Sequence, residues 1–395
     1  MGYRKFKAEG IFDGYQLMDA DQVLITDTGG AVVELVDKLD VGGDIEEFRG
    51  ILCPGFVNSH CHLELSHMKG LIPERTGLVD FLLTIVNKRH FEEGTILQAI
   101  VDAEEEMWRN GISGVGDICN NALTVSIKKN ARLRYHNFIE TSGFTPGIAL
   151  DRFEGAKKIL DIFQSGFNLQ ESTLVPHAPY SVSPELFELI NDMPGNGLLT
   201  IHNQESTAED LFFEKGEGEL LRLYRDLNID ISFFRPGGKK SLQNWLPCFN
   251  RNQSMILVHN VTTTAEDLRF SQPATLHPQP QTSLCLCPNA NLYISGRLPD
   301  VPEFVKGKCH LVIGTDSLAS NHQLSILEEI KTLHRHFPDI ALSTILQWAT
   351  INGARALQME GELGSFEKGK RPGVVVIEGW DGGHLSMGVN ARRVM

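Results

Sequence analysis

Apolar and polar positions alternate over the first fifty residues, and turn signals at Asp13-Gly14, Gly29-Gly30 and Gly42-Gly43 interrupt the alternation. Period-two patterning between such turns predicts short antiparallel strands with one buried face. The end of the chain reads alike: Gly373-Val374-Val375-Val376-Ile377-Glu378 predicts a strand, followed by a Gly-rich turn. Neither end buries much alone. A composite β-sandwich of residues 1–50 and 365–395 is therefore expected, with 51–364 as one continuous domain.

That middle stretch carries eight apolar runs: Ile51–Asn58, Gly114–Ile118, Tyr135–Glu140, Thr173–His177, Leu198–His202, Met255–His259, Leu284–Cys287 and Leu311–Asp316. Between several of them the period lengthens to about 3.6, as at Ile96, Ile100, Ala103 and Met107. A second such helix, Ile326, Ile330, Leu333 and Phe337, is opened by Ser325 and Glu328 at capping-box spacing. Strands alternating with helices predict parallel βα units, and eight of them predict an α/β fold of the (β/α)8 TIM-barrel type. The 395 residues fit a barrel of about 250 residues with a smaller appended unit.

Composition narrows the function classes. A formal net charge of −14 argues against nucleic acid or an anionic membrane as partner, since either needs a basic footprint. No stretch approaches the ~20 apolar residues of a membrane span, and the first residues lack the apolar run of a signal peptide. Seven scattered cysteines, an odd number, do not suit a disulfide scaffold. A reduced, cytoplasmic setting is expected.

In such barrels the active site lies where the strands end. The polar residues closing the runs are His60, His62, Asp117, Glu140, His177, His202, His259 and Asp316. His60 and His62 stand two apart on an extended chain, so both imidazoles face one side. With fourteen histidines, about half an H-x-H arises by chance, so position must decide. His334-Arg335-His336 is the counter-example: its surroundings have helical period, and two apart on a helix face nearly opposite ways. His60, His62, His202 and Asp316 together make a nitrogen/oxygen site suited to one divalent metal, zinc first and iron second, with a position open for water.

These residues resemble the amidohydrolase superfamily, in its branch of cytosine, guanine, adenosine-type and triazine aminohydrolases, along nearly the whole chain. The branch's Pro-Gly-Phe/Leu-Val-Asn-x-His-x-His matches Pro54 through His62, and its His-x-x-Glu matches His202 and Glu205. Its strand-six histidine matches His259 and its strand-eight aspartate Asp316. His177-Ala178-Pro179-Tyr180 resembles a segment lining the substrate pocket, and Gly364 through Lys370 resembles the approach to the closing strand. There are departures. Pro288-Asn289-Ala290-Asn291 lacks the serine of Pro-x-Ser-Asn, Arg371-Pro372-Gly373 replaces Ala-Asp, and Lys69-Gly70 replaces Arg-Gly. None touches the metal set, so they bear on substrate. No lysine closes the fourth run, where dinuclear relatives carry a lysine carbamate, which implies a single metal.

The resemblance implies hydrolytic deamination of an amino-substituted heterocycle by a homodimer. Asp316 would take a proton from the attacking water and pass one to the leaving ammonia. Glu205 would protonate the ring nitrogen beside the attacked carbon, a task favouring a raised pKa. His259 would stabilise charge at the tetrahedral centre. Substrate contacts are expected from Glu64, if the strand carrying His60 and His62 runs on, and from His177 and Asn289. The stretch His60-Cys61-His62-Leu63-Glu64-Leu65-Ser66 resembles the His-x-His-Leu-Glu-Phe-Ser of aminofutalosine deaminases, which act on an adenosine-like nucleoside.

Four alternatives stand beside this reading. Guanine- or pterin-type substrates, and hydrolysis of a cyclic amide of imidazolone type, suit the same residues. The other zinc-deaminase class would use His62-Leu63-Glu64, but it requires Pro-Cys-x-x-Cys where this chain has Cys285-Leu286-Cys287-Pro288. A non-catalytic barrel is disfavoured because every ligand position is filled. Glu205 has a blander reading too, as an acidic residue beside a helix start.

Overall fold

The computed structural model describes residues 2–395 apart from 19, 167–170, 251, 272–279, 381–384, 386 and 387. All eight predicted runs contribute strands: β1 (Phe56–Cys61), β2 (Ile112–Cys119), β3 (Arg134–Thr141), β4 (Ser172–Pro176), β5 (Leu198–Asn203), β6 (Ser254–His259), β7 (Gln281–Leu286) and β8 (His310–Ile313). They form two parallel four-stranded sheets, ordered β1-β2-β3-β4 and β5-β6-β7-β8. Backbone contacts join the sheets at both seams. His202 N donates to His177 O (3.0 Å) between β4 and β5, and Thr315 N and Asp316 N both donate to His60 O (3.1 Å each) between β8 and β1. Every residue of β1, β2, β4 and β5 is buried, as parallel strands covered on both faces require.

The outer layer follows the predicted periods. Helix Glu93–Arg109 buries Ile100, Ala103 and Met107. In helix Ile326–His336 the N-cap hydroxyl of Ser325 accepts from Glu328 N (3.4 Å), while the Glu328 carboxylate accepts from Lys331 Nζ (2.6 Å), so only half of a capping box forms. His334 and His336 lie in that helix's last turn, as their period predicts.

The first apolar run departs from its reading, for it divides at Gly55. Ile51–Pro54 pairs antiparallel with Val374–Glu378 and parallel with Gly10–Phe12, whereas Phe56–Cys61 pairs with β2. A Cβ on Gly55 would lie 1.9 Å from Ser113 Oγ and 2.5 Å from Pro372 O, so only glycine lets the chain cross there. Residues from both ends share one small core, including Phe6, Ile11, Leu24, Leu52, Phe366 and Val376. The terminal strands are not all antiparallel as expected: Glu46–Glu47 runs parallel to Tyr3–Lys7. The Gly-rich turn expected after Glu378 falls largely outside the described residues.

Beneath the site, Asp117 and Lys128 form a fully buried ion pair (2.5 Å). Asp117 Oδ1 also accepts from Leu63 N (2.8 Å), and Lys128 Nζ donates to Asn137 Oδ1 (2.9 Å). Removing one partner strands the other charge in a low-dielectric interior. Lys128→Met is expected to destabilise the fold by about 3–5 kcal/mol, read from urea denaturation. A loss below about 1 kcal/mol would mean that Asp117 is stabilised without its lysine.

Candidate active site

The C-terminal ends of β1, β5, β6 and β8 converge on one buried cluster. Ligand atoms of His60, His202, His259 and Asp316 all lie within 4.8 Å of one another. His62 joins them, its Nε2 lying 3.1 Å from His60 Nε2, 3.3 Å from His202 Nε2 and 3.5 Å from Asp316 Oδ1. All four residues predicted as ligands are thus brought together.

Two contacts fix tautomers. His202 Nδ1 donates to His177 O (2.9 Å), and since a carbonyl only accepts, Nε2 presents its lone pair to the cluster. His259 Nδ1 likewise donates to Asn291 Oδ1 (2.8 Å). Burial pushes His62 down to about 3, and His202 well below its ordinary value, so both imidazoles are neutral near pH 7. Burial alone would raise Asp316, but the imidazoles of His60, His62 and His259 hold its carboxyl below the usual carboxylate range. Ser320 Oγ donates to Asp316 Oδ2 (2.5 Å), leaving Oδ1 to face His60 and His62. At 3.1 and 3.3 Å one N–H···N bond can form among these rings, but a single shared proton cannot serve three facing nitrogens and Asp316 Oδ1, whereas a divalent cation takes a lone pair from each. The donor set fits a metal ion.

Backbone strain gathers at the same place. Gln204, His259, Asn260 and Asp316 take left-handed φ values of 46°, 74°, 57° and 57°. For residues with side chains this costs roughly 1–3 kcal/mol each and persists only where the surroundings enforce it.

Glu205 lies just beyond β5 with Oε1 3.7 Å from His259 Nε2. Burial raises its carboxyl above the ordinary glutamate value. It faces the cavity, and among the described residues no helix N–H donates to its carboxylate, so the helix-start reading has no support.

These groups open onto a cavity of about 510 Å³. His62, His202, His259, Asp316 and Glu205 line its floor, while Glu64, Glu140 and His177 line its wall. Phe81, Leu82 and Ile85 of helix Leu78–Lys88, with Arg89 and Arg152, line its outer part. His177 both lines the cavity and positions His202 through its carbonyl; its own Nδ1 is hydrogen-bonded to Ser181 Oγ (2.7 Å).

Glu64 reaches this cavity by a different route from the one expected. The strand does not run on; the chain turns after His62 into a 3-10 segment, Leu63–Met68. Glu64 Oε2 accepts from Asn120 N (3.0 Å) and Asn121 Nδ2 (2.8 Å), and burial pushes its carboxyl up to about 7. Asn289 is a correction. It does not line the cavity; its N–H donates to Glu329 Oε2 (2.9 Å) and its Oδ1 accepts from Thr332 Oγ1 (2.6 Å). Both stand in helix Pro288–Ile294, where residues two apart face different ways, so Asn291 is the one turned to His259.

Glu140, which closes the third apolar run, has no role that its spacing announces. Glu140 lines the cavity, lies 3.8 Å from His202 Nδ1, and is pushed up to about 7 by burial. Cys285 and Cys287 are both buried with their sulfurs 4.0 Å apart, but only Cys285 lies in β7; Cys287 is the N-cap of helix Pro288–Ile294.

A parallel α/β fold with a buried histidine–aspartate cluster at its strand ends defines a metal-dependent enzyme. The chain belongs to the amidohydrolase family, whose family model matches residues 51–391. It is 27% identical over 341 residues to an adenosine deaminase of Helicobacter pylori, covering 83% of this chain and 79% of that protein. It is 24% identical over 375 residues to a 5-methylthioadenosine/S-adenosylhomocysteine deaminase of Caldanaerobacter subterraneus, covering 89% and 78%. Among solved structures, the aminofutalosine deaminase of H. pylori in complex with methylthio-coformycin superposes with a TM-score of 0.81 over 99% of this chain and 100% of that one, at 22% identity.

Proposed function

We propose that this protein is a hydrolytic deaminase releasing ammonia from an adenosine-like aminated heterocycle, aminofutalosine being one candidate. The observation that carries the reading is the buried Glu205 carboxyl, poised 3.7 Å from His259 at the floor of the cavity beside the cluster. The names of the deaminase relatives point the same way. We assign one divalent metal, zinc, to His60, His62, His202 and Asp316. When bound, it supplies Lewis acidity and lowers the pKa of water toward about 7. Asp316 accepts a proton from the attacking water and returns one to the departing ammonia. Glu205, whose proton affinity burial raises, gives its proton to the ring nitrogen beside the carbon under attack. His259, its Nδ1–H held by Asn291 Oδ1, presents the Nε2 lone pair to the attacking water, accepting from the O–H that stays on the tetrahedral centre and so orienting and stabilising it.

The contacts at both seams support closing the two sheets into one (β/α)8 barrel of residues 56–364, starting later than the 51 expected because Ile51–Pro54 pairs in the terminal sheet. The core shared by the chain ends supports a composite sandwich of 1–54 and 365–395, the strand Ile51–Pro54 included. A cytoplasmic homodimer is the form proposed. Among the described residues no helix is long and apolar enough to cross a membrane.

The deciding experiment is ammonia release by the metal-loaded enzyme across aminated nucleosides, guanine-type bases and pterins, with imidazolone-type cyclic amides beside them. Turnover of the cyclic amides alone would overturn deamination. Elemental analysis should find one zinc per chain; two metals, or iron, would overturn the metal assignment.

Glu64 is proposed to contact substrate from the cavity wall. Glu64→Gln keeps its volume and one acceptor, so kcat/KM should fall about tenfold with metal content unchanged, the scale of one lost charged hydrogen bond. Unchanged kinetics would mean that Glu64 serves only to hold Asn120 and Asn121.

A further inference from the structure

We propose that Glu209 is a positioning residue for Glu205, its buried carboxylate fixing the turn that aims the Glu205 side chain at His259. The inference rests on the reading of Glu205 as proton donor. Ladder pairing of β5 with β6 ends at Asn203 and His259, and helix Thr207–Lys215 starts four residues on. The amides of Gln204 and Glu205 fall between the two elements, where neither ladder nor helix supplies an acceptor. Glu209 supplies both: Oε1 accepts from Gln204 N (3.0 Å) and Oε2 from Glu205 N (3.3 Å). Its side chain is completely buried.

This is not ordinary helix capping. A glutamate at the third helical position usually returns to the N-cap amide while the N-cap side chain bonds forward. Here the N-cap Ser206 makes no side-chain cap bond, and Glu209 reaches past it to the two preceding amides. The turn so held is one a side-chain residue resists, since Gln204 is left-handed. The same turn is clipped to the loop after His259: Gln204 O accepts from Thr262 N (3.0 Å) and Gln204 Oε1 from Thr263 Oγ1 (2.7 Å). Gln204 Nε2 donates to Asp210 Oδ1 (3.3 Å). Glu209 therefore sits in a clamp that sets one member of the Glu205–His259 pair against the other. Proton delivery is sensitive to such placement, and a shift of about 1 Å can cost on the order of 10²-fold.

The test is a double-mutant comparison in the full-length, metal-loaded enzyme. Glu209→Gln keeps size and burial but turns an NH2 group against one of the two amides. We expect unchanged metal content and KM, and kcat lower by about 10- to 10²-fold. In a Glu205→Gln background, adding Glu209→Gln should cost almost nothing further, because the group it positions no longer has a proton to give. An equal fold-loss in both backgrounds, or an unchanged kcat in Glu209→Gln, overturns the proposal. Glu209→Asp, which keeps a carboxyl group, is the second variant should Glu209→Gln not fold. If neither folds, the carboxylate serves the fold and the proposal is overturned. A near-native rate in Glu205→Gln alone would instead sink the reading of Glu205 on which the proposal rests.

Discussion

Glu205→Gln is expected to lower kcat by at least about 10²–10⁴-fold while the metal stays in place. The two halves of this result have separate causes. Glu205 is outside the group of ligand atoms that cluster within 4.8 Å, its carboxyl lying 3.7 Å from His259 Nε2, so the donor set loses nothing when it is replaced. Glutamine keeps the volume and one acceptor oxygen but has no proton to transfer. Burial raises the Glu205 carboxyl, so the wild-type enzyme holds the proton to higher pH than an ordinary glutamate and loses it as pH rises through the raised pKa. Wild-type kcat should therefore decline on the alkaline side, and that limb should vanish in Glu205→Gln. An inhibitor resembling the tetrahedral intermediate should bind more weakly in parallel, since rate and intermediate affinity draw on the same contacts. Loss of metal in the variant would make Glu205 a ligand. Retention of both metal and rate would mean that no ring protonation is needed there, and cyclic-amide hydrolysis would become the leading reading.

The parts of this site legible in the sequence are those tied to strand ends. His60, His62, His202, His259 and Asp316 each close an apolar run, and strand ends of parallel sheets meet on one face, so their meeting follows from pattern alone. The parts that were not legible depend on how the chain leaves a strand. Glu64 follows a turn that alternation does not announce, because the 3-10 segment Leu63–Met68 is itself partly apolar. Asn289 and Asn291 differ only in which way a short helix points them, and that is set by packing against helix Ile326–His336. The division at Gly55 was hidden for a related reason. Both halves of Ile51–Asn58 are buried, so apolar composition cannot report that the chain passes from one sheet to another. Ser320 and Glu209 act through a partner, and nothing in their own spacing marks them; Asn291 fills the asparagine of the Pro-x-Ser-Asn motif, but the motif does not say that His259 is its partner.

Asp316→Asn is expected to fail on two counts where Glu205→Gln fails on one. Asp316 Oδ1 lies 3.6 Å from His60 Nε2 and 3.5 Å from His62 Nε2, as the single carboxylate among the predicted ligands. Asparagine is nearly isosteric, and at this left-handed position (φ 57°) it is among the residues best able to adopt the backbone, so the fold should survive. Its amide, however, carries no charge to balance a divalent cation and cannot accept a proton from water. Lost proton transfer alone accounts for about 10²–10⁴-fold in kcat, and weakened metal retention should add to it. Dialysis against a chelator should then strip the variant under conditions that leave the wild type loaded. Ser320→Ala provides the graded counterpart. It removes only the hydroxyl donating to Oδ2, so the carboxylate keeps its charge but can rotate. Outer partners of metal ligands typically contribute 10- to 100-fold, and a loss of about that size in metal affinity or activity is expected. If Asp316→Asn retained its metal and lost only a few-fold in rate, the proton would have to be taken elsewhere. Glu140, which lines the same cavity 3.8 Å from His202, would be the carboxylate to test next.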